Sequence, residues 1–271
     1  MKKILAVALA GILAVILIGY LAISFKKEPD ATSSNSGGES QFYDDVMASV
    51  SESEMTETND PYEGEKIEDY AYAYAGFEPF YANVDIDDWK MLLVNRDYIL
   101  PDDYEVELAP CITNDPDSLK LDYRVAPYYN KMYLAALEDG IELTPISGYR
   151  SVERQTNNFE KKIQKYIDEG YSKIEATQMA ATIILPPGTS EHNAGLAMDI
   201  CSLYESFEDS AEFAWLSENA ADYGFILRYP KDKQDITKII YEPWHWRYVG
   251  VEAAKAMKAS GQCFEEYLGV A

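Results

Sequence analysis

Only two of the 271 residues are histidine, against 47 acidic residues. Both histidines lie in short segments with a carboxylate close by. His192 stands seven places before Asp199 in TSEHNAGLAMDI, and His245 follows Glu242 by three in YEPWHWRYVG. Two neutral imidazoles and one carboxylate are the donors a catalytic zinc takes when its fourth position stays open to water. That leaves one carboxylate over, and a second carboxylate beside the metal can serve as general base. Spacing alone does not say which acid is the ligand. Pro243 disfavours helical backbone at Glu242, so the E-x-x-H pair need not share a helix face, which argues against helix-borne di-iron ligation. A bland alternative is that each histidine simply hydrogen-bonds in a core or at an interface. From residue chemistry alone this is a candidate mononuclear zinc site.

These residues need short strands and loops to hold them, and the surrounding pattern predicts such elements. WKMLLVN, IELTPIS, LAMDICSLY, FILRYP and IIYEPWHWRYVG read as strands, with LPDDY and LPPGTSEHNAG as proline-marked loops. RVAPYYNKMYLAALEDG has helical spacing through Val125, Tyr129, Met132, Leu134 and Leu137 and stops at Gly140. Two amphipathic helices broken near Gly170 follow SGYRS, another runs from Ser210 to Gly224, and a last one covers VEAAKAMKASG. Helices and short strands mix without regular βαβ alternation, so the expected class is α+β. Cys201, just past Asp199, is expected to be a buried strand residue.

The first 75 residues are different material. Residues 4–25 form an uncharged apolar run between Lys2-Lys3 and Lys26-Lys27, about the length a membrane-spanning helix needs. Ala22-Ile23-Ser24 makes a poor signal-peptide cleavage site, so 1–27 is expected to be an uncleaved anchor. Residues 28–75, rich in Ser, Thr, Glu and Asp, read as an unstructured acidic linker, leaving 76–271 as the catalytic domain. The net charge of −24 argues against any surface that must follow a nucleic-acid backbone. Three cysteines without C-x-x-C spacing imply neither a disulfide framework nor a thiolate zinc site.

Three segments together resemble a known family. SGYRS (147–151), SEHNAGLAMDI (190–200) and EPWHWRYVG (242–250) are similar, in order, to the signatures of the VanY-type D-alanyl-D-alanine carboxypeptidases. These zinc peptidases share a fold with the VanX dipeptidases and the hedgehog signalling domain. The resemblance spans roughly residues 85–255 and implies a small, mainly antiparallel sheet flanked by helices. It makes His192, Asp199 and His245 the ligands of one Zn2+ per chain, Glu242 the general base, and Arg150 the cation that stabilises the oxyanion. Ser190, Tyr149 and Gln155 become contacts to the peptide or its terminal carboxylate.

The activity so implied is removal of a C-terminal D-alanine from peptidoglycan stem peptides. The anchor suits a monomeric enzyme of the cell membrane with its catalytic domain outside. L,D-carboxypeptidase action on tetrapeptide stems, dipeptidase or endopeptidase action, and a non-catalytic zinc-containing wall-binding module are the alternatives.

Overall fold

The computed structural model describes residues 63–66, 79–112, 119–181 and 183–271. The expected anchor and most of the expected linker lie outside the described residues. Nine strands and seven α-helices are described: β1 (Glu63–Lys66), β2 (Phe80–Ala82), β3 (Tyr98–Ile99), β4 (Leu108–Pro110), β5 (Lys120–Asp122), α1 (Ala126–Glu138), β6 (Pro145–Ser147), α2 (Val152–Asp168), α3 (Lys173–Ala181), β7 (Ala197–Ile200), α4 (Ala211–Asn219), β8 (Phe225–Leu227), α5 (Gln234–Thr237), β9 (His245–Tyr248), α6 (Val251–Ser260) and α7 (Phe264–Leu268). The class is α+β, as expected.

The sheet that matters for function has the order β6-β7-β9-β8, and all of its pairings are antiparallel. Every residue of β7 and β9 is buried, so both faces of these central strands are covered, unlike a sheet with one wet face. Tyr129 of α1 meets Phe225 of β8 edge-on, ring centroids 6.5 Å apart. Leu196, Met198 and Trp246 join Tyr129, Met132 and Leu143 in the main apolar cluster. A second cluster joins Leu93 and Val249 to Ala254 and Met257 of α6 and Phe264 of α7.

Several expectations change. WKMLLVN is no strand: Trp89–Met91 is a 3-10 turn, and Leu92, Leu93 and Val94 continue as buried irregular chain. The carbonyls of Lys90 and Leu92 instead accept from the buried Arg247 guanidinium, at 3.0 and 2.8 Å. A side chain thus takes acceptors that a neighbouring strand would otherwise use. Leu134 and Leu137 are each 49% exposed, and the buried stripe of α1 runs instead through Ala126, Tyr129, Met132, Tyr133 and Ala136. Cys201 lies beyond β7, half-buried, with φ +63°. Its backbone N–H donates to Thr144 O (2.7 Å), closing the strand end. Within the expected linker, Glu63–Lys66 pairs antiparallel with β2. Such a short edge pairing rests on backbone hydrogen bonds, so the E-G-E-K sequence gave no alternation by which to see it.

Gly195 shows why the second motif contains a glycine. Its φ is +69°, and a Cβ there would sit 2.8 Å from the Asp122 backbone N, which itself donates to Gly195 O at 3.0 Å. Gly195→Ala is expected to cost about 1–3 kcal/mol from the left-handed conformation alone, with the steric conflict added. Urea denaturation of the purified protein reads this, and unchanged stability would contradict it.

Candidate active site

Both histidines and Asp199 come together because of strand register. Asp199 of β7 lies directly opposite His245 of β9, and the loop before β7 carries His192 to the same place. The imidazole rings stand nearly perpendicular, centroids 4.8 Å apart. His192 Nε2 is 3.3 Å from Asp199 Oδ2, and His245 Nδ1 is 3.3 Å from Asp199 Oδ1. One donor atom from each of the three residues falls within 4.8 Å of the others, and all three are buried. Asp199 Oδ1 has no hydrogen-bond partner despite full burial. Its nearest partner is His245 Nδ1 at 3.3 Å, outside good hydrogen-bond geometry, and a cation between the three groups would satisfy it more fully. The donor set therefore fits zinc.

The nitrogen on the far side of each imidazole is engaged. His192 Nδ1 contacts Gly148 O at 2.8 Å, and His245 Nε2 contacts Glu191 Oε2 at 3.2 Å. Each ring thus turns its remaining nitrogen toward Asp199. Gly148 must lack a side chain, since a Cβ there would come 2.5 Å from Lys120 O. That close approach brings Gly148 O within reach of His192.

The segment after Gly148 is tied to the same loop. Arg150 N donates to His192 O (3.0 Å), and Asn193 Nδ2 donates to Arg150 O (2.7 Å). The Arg150 guanidinium donates to Gln155 Oε1 (2.8 Å) and Ser147 Oγ (3.1 Å). Burial draws its pKa down, while the negative charges of Asp199 and Glu242 oppose that shift. Ser151 caps α2 by accepting from Arg154 N, which starts the helix immediately after Arg150. Gln155, expected to touch substrate, is fully buried with both polar ends engaged, to Arg150 and to Leu185 O. These contacts hold the Arg150 guanidinium in place. Ser190 is buried, its Oγ accepting from His192 N at 3.4 Å. Tyr149 is half-buried, its N–H donating to Lys120 O.

Glu242 stands at the edge of the cluster, Oε2 3.6 Å from His245 Nδ1. Burial pushes its carboxyl up to about 7; His245 and Arg150 pull it down, and Asp199 and Glu191 push it further up. A carboxylate with a pKa near neutrality suits proton transfer at neutral pH. Asp199 behaves in the opposite way. Burial alone would raise it, but His192 and His245 together hold it well below the usual carboxylate range.

Glu191 was not anticipated. It is fully buried between Arg228 and Arg247, both also fully buried. The clue was available, because FILRYP and HWRYVG each set an arginine in an otherwise apolar strand. A buried guanidinium needs an acid partner.

The family model for VanY, D-alanyl-D-alanine carboxypeptidase, matches residues 118–251. A D-alanyl-D-alanine carboxypeptidase of Enterococcus faecalis is 40% identical over 184 residues, which are 68% of this chain and 67% of that protein. The chain belongs to the VanY family. A solved VanB-type D,D-pentapeptidase VanY in complex with Zn(II) is 41% identical, TM-score 0.56, covering 66% of this chain and 99% of that one. The LD-carboxypeptidase LdcB is 34% identical, TM-score 0.62, covering 76% of this chain and 94% of that one. As a VanY-type carboxypeptidase the protein is a zinc metallopeptidase, and the buried two-histidine, one-aspartate cluster offers donors of the right kind.

Without metal, burial lowers the His245 pKa, but Asp199 and Glu191 raise it to about 9 overall. At pH 7 the imidazole therefore carries a proton that a zinc ion bound at its Nδ1 would displace. Apparent zinc affinity should rise by about tenfold per pH unit from pH 7 toward 9 and level off above. Calorimetric zinc titrations at pH 7, in buffers of different ionisation enthalpy, should show at least one proton released per ion, His245 giving up one and Glu242 part of another. Absence of release would contradict this protonation state.

Proposed function

We propose that the protein is a monomeric, membrane-anchored zinc D,D-carboxypeptidase that removes the C-terminal D-alanine from peptidoglycan stem peptides outside the membrane. The observation that carries this reading is the convergence of His192, Asp199 and His245 in one buried cluster, with Glu242 and Arg150 facing it. In this reading His192 Nε2, His245 Nδ1 and the Asp199 carboxylate would hold the metal. Zinc bound there supplies Lewis acidity, making water a better nucleophile and the peptide carbonyl a better electrophile. Glu242 takes the proton of the attacking water and returns it to the leaving amine. Arg150, held rigid by Gln155 and Ser147, stabilises the negative charge that develops on the carbonyl oxygen. Ser190 and Tyr149 supply contacts to the peptide.

The location rests on the first 75 residues. Residues 4–25 carry no charge and are long enough to span a bilayer, and the acidic stretch that follows suits a tether to polymeric substrate. Recovery of the full chain in the membrane fraction, its catalytic domain open to added protease in intact cells, tests both anchor and orientation. The L,D alternative draws support from the likeness to LdcB.

Tri-, tetra- and pentapeptide stems incubated with the enzyme and read by mass spectrometry separate the readings. Release of one D-alanine from the pentapeptide is expected. Trimming of the tetrapeptide alone would make the enzyme an L,D-carboxypeptidase, and no cleavage of any stem would favour a binding module. Glu242→Gln should keep zinc while losing roughly 10²-fold in rate or more. Arg150→Ala should keep zinc and lose on the order of 10²–10³-fold, whereas Asp199→Ala should lose both metal and activity. The rate should fall on the acid side as Glu242 gains a proton, at a pH below 7 because the neighbouring dication favours the carboxylate. Zinc lost from Glu242→Gln but kept by Asp199→Ala would exchange the two roles.

A further inference from the structure

The side chains beneath His245 form a closed ionic cluster that the reaction above does not use. Glu191, Arg228 and Arg247 are fully buried, and Glu265 is nearly so. Two acids face two guanidiniums. Arg228 donates through Nε to Glu191 Oε1 (2.7 Å) and through Nη1 and Nη2 to Glu265 (2.8 and 2.6 Å). Arg247 donates through Nη1 to Glu191 Oε1 (2.9 Å) and through Nη2 to the carbonyls of Lys90 and Leu92. A buried ion cluster of this kind adds little stability over well-packed apolar side chains, so its presence needs another reason.

The division of labour between the two Glu191 oxygens suggests one. Both arginines bond to Oε1, and neither bonds to Oε2. Oε2 is the atom that meets His245 Nε2, at 3.2 Å. If neutralising the arginines were the whole purpose, a forked pairing to one of them, as Glu265 makes with Arg228, would use both oxygens. Here one oxygen is anchored from two directions and the other is left for the imidazole. The Glu191 backbone is fixed as well, its carbonyl accepting from Ala194 N and Leu196 N, both at 3.2 Å.

We infer that Glu191 is a positioning residue for zinc binding. Clamped by Arg228 and Arg247, it accepts the Nε2 proton of His245 and so holds the ring in the tautomer that presents Nδ1 to the metal. Carboxylate partners of this kind fix ring orientation and raise ligand basicity, and their loss typically weakens metal affinity 10- to 100-fold. Arg247 extends the clamp to residues 90–92, which makes that irregular buried stretch part of the support. The inference rests on His245 being a zinc ligand, as proposed above, and the test separates the two claims.

The chain has only two histidines, so imidazole 15N labelling of the full-length protein, purified through a histidine-free tag, gives two readable rings. In the zinc-loaded wild type, His245 should show a protonated, exchange-protected Nε2 and a metal-shifted Nδ1. Metal on Nε2 of His245 would overturn the positioning role, and no metal shift on either nitrogen would instead overturn the ligand assignment itself. Glu191→Gln should weaken zinc binding about 10- to 100-fold in competition with a chromophoric chelator. Glu265→Gln is the control: it loosens Arg228 on the side away from Glu191 without touching His245, and should weaken zinc binding far less than Glu191→Gln. Equal affinity in wild type and Glu191→Gln, or an equal loss in both variants, would reduce Glu191 to a structural acid. Should Glu191→Gln fail to fold, the wild-type tautomer decides alone.

Discussion

The site depends on one pairing, the register that sets Asp199 of β7 against His245 of β9. Side chains alternate faces along a strand, so a slip of one residue would turn Asp199 to the opposite face from His245. The register is held at several points. Ala197 and Met198 pair with Arg247 and Trp246, Tyr248 N donates to Leu196 O, and Ile200 N donates to Trp244 O. Burial of all four residues in both strands makes any slip expensive, because it would exchange apolar neighbours for charged ones across a dry core. The loop carrying His192 is then fastened to the β6 side by Gly148 O, Arg150 and Asn193, which brings His192 and Arg150 into the same frame.

Three carboxylates crowd this frame, Asp199 and Glu191 buried and Glu242 partly so, and their surroundings give them different characters. Asp199 lies between two imidazoles and stays ionised. Glu191 is held ionised by two guanidiniums despite complete burial. Glu242 has less compensation for its burial and rises to about 7. Groups of one type pushed apart in pKa by their environment are how a single fold separates binding from proton transfer. The proposed division of roles, Asp199 as ligand and Glu242 as base, agrees with that contrast, which spacing along the chain could not supply.

The legible part of the site consisted of rare residue types. Two histidines in an acidic chain drew notice to His192 and His245, and the motifs around them pointed to Asp199, Glu242 and Arg150. Helices with strong periodicity or a glycine stop, such as those ending near Gly170, Gly224 and Gly261, were legible for the same local reason. What escaped was determined by contacts distant in sequence. Glu191 looked like one acid among many, because its partners Arg228 and Arg247 lie 37 and 56 residues away. Gln155 gave no hint in sequence that it bonds the Arg150 guanidinium five residues before it. WKMLLVN has the composition of a strand, yet its carbonyls serve a guanidinium from β9. Two- and three-residue strands such as β2 to β5 are too short to carry any period.

Anomalous diffraction at the zinc edge from crystals of the zinc-loaded protein tests the central claim most directly. The account predicts a single strong peak about 2.0–2.2 Å from His192 Nε2, His245 Nδ1 and an Asp199 oxygen, with Glu242 beyond bonding distance. A peak bonded to Glu242 with Asp199 outside the coordination sphere, or one bonded through His245 Nε2, would contradict it.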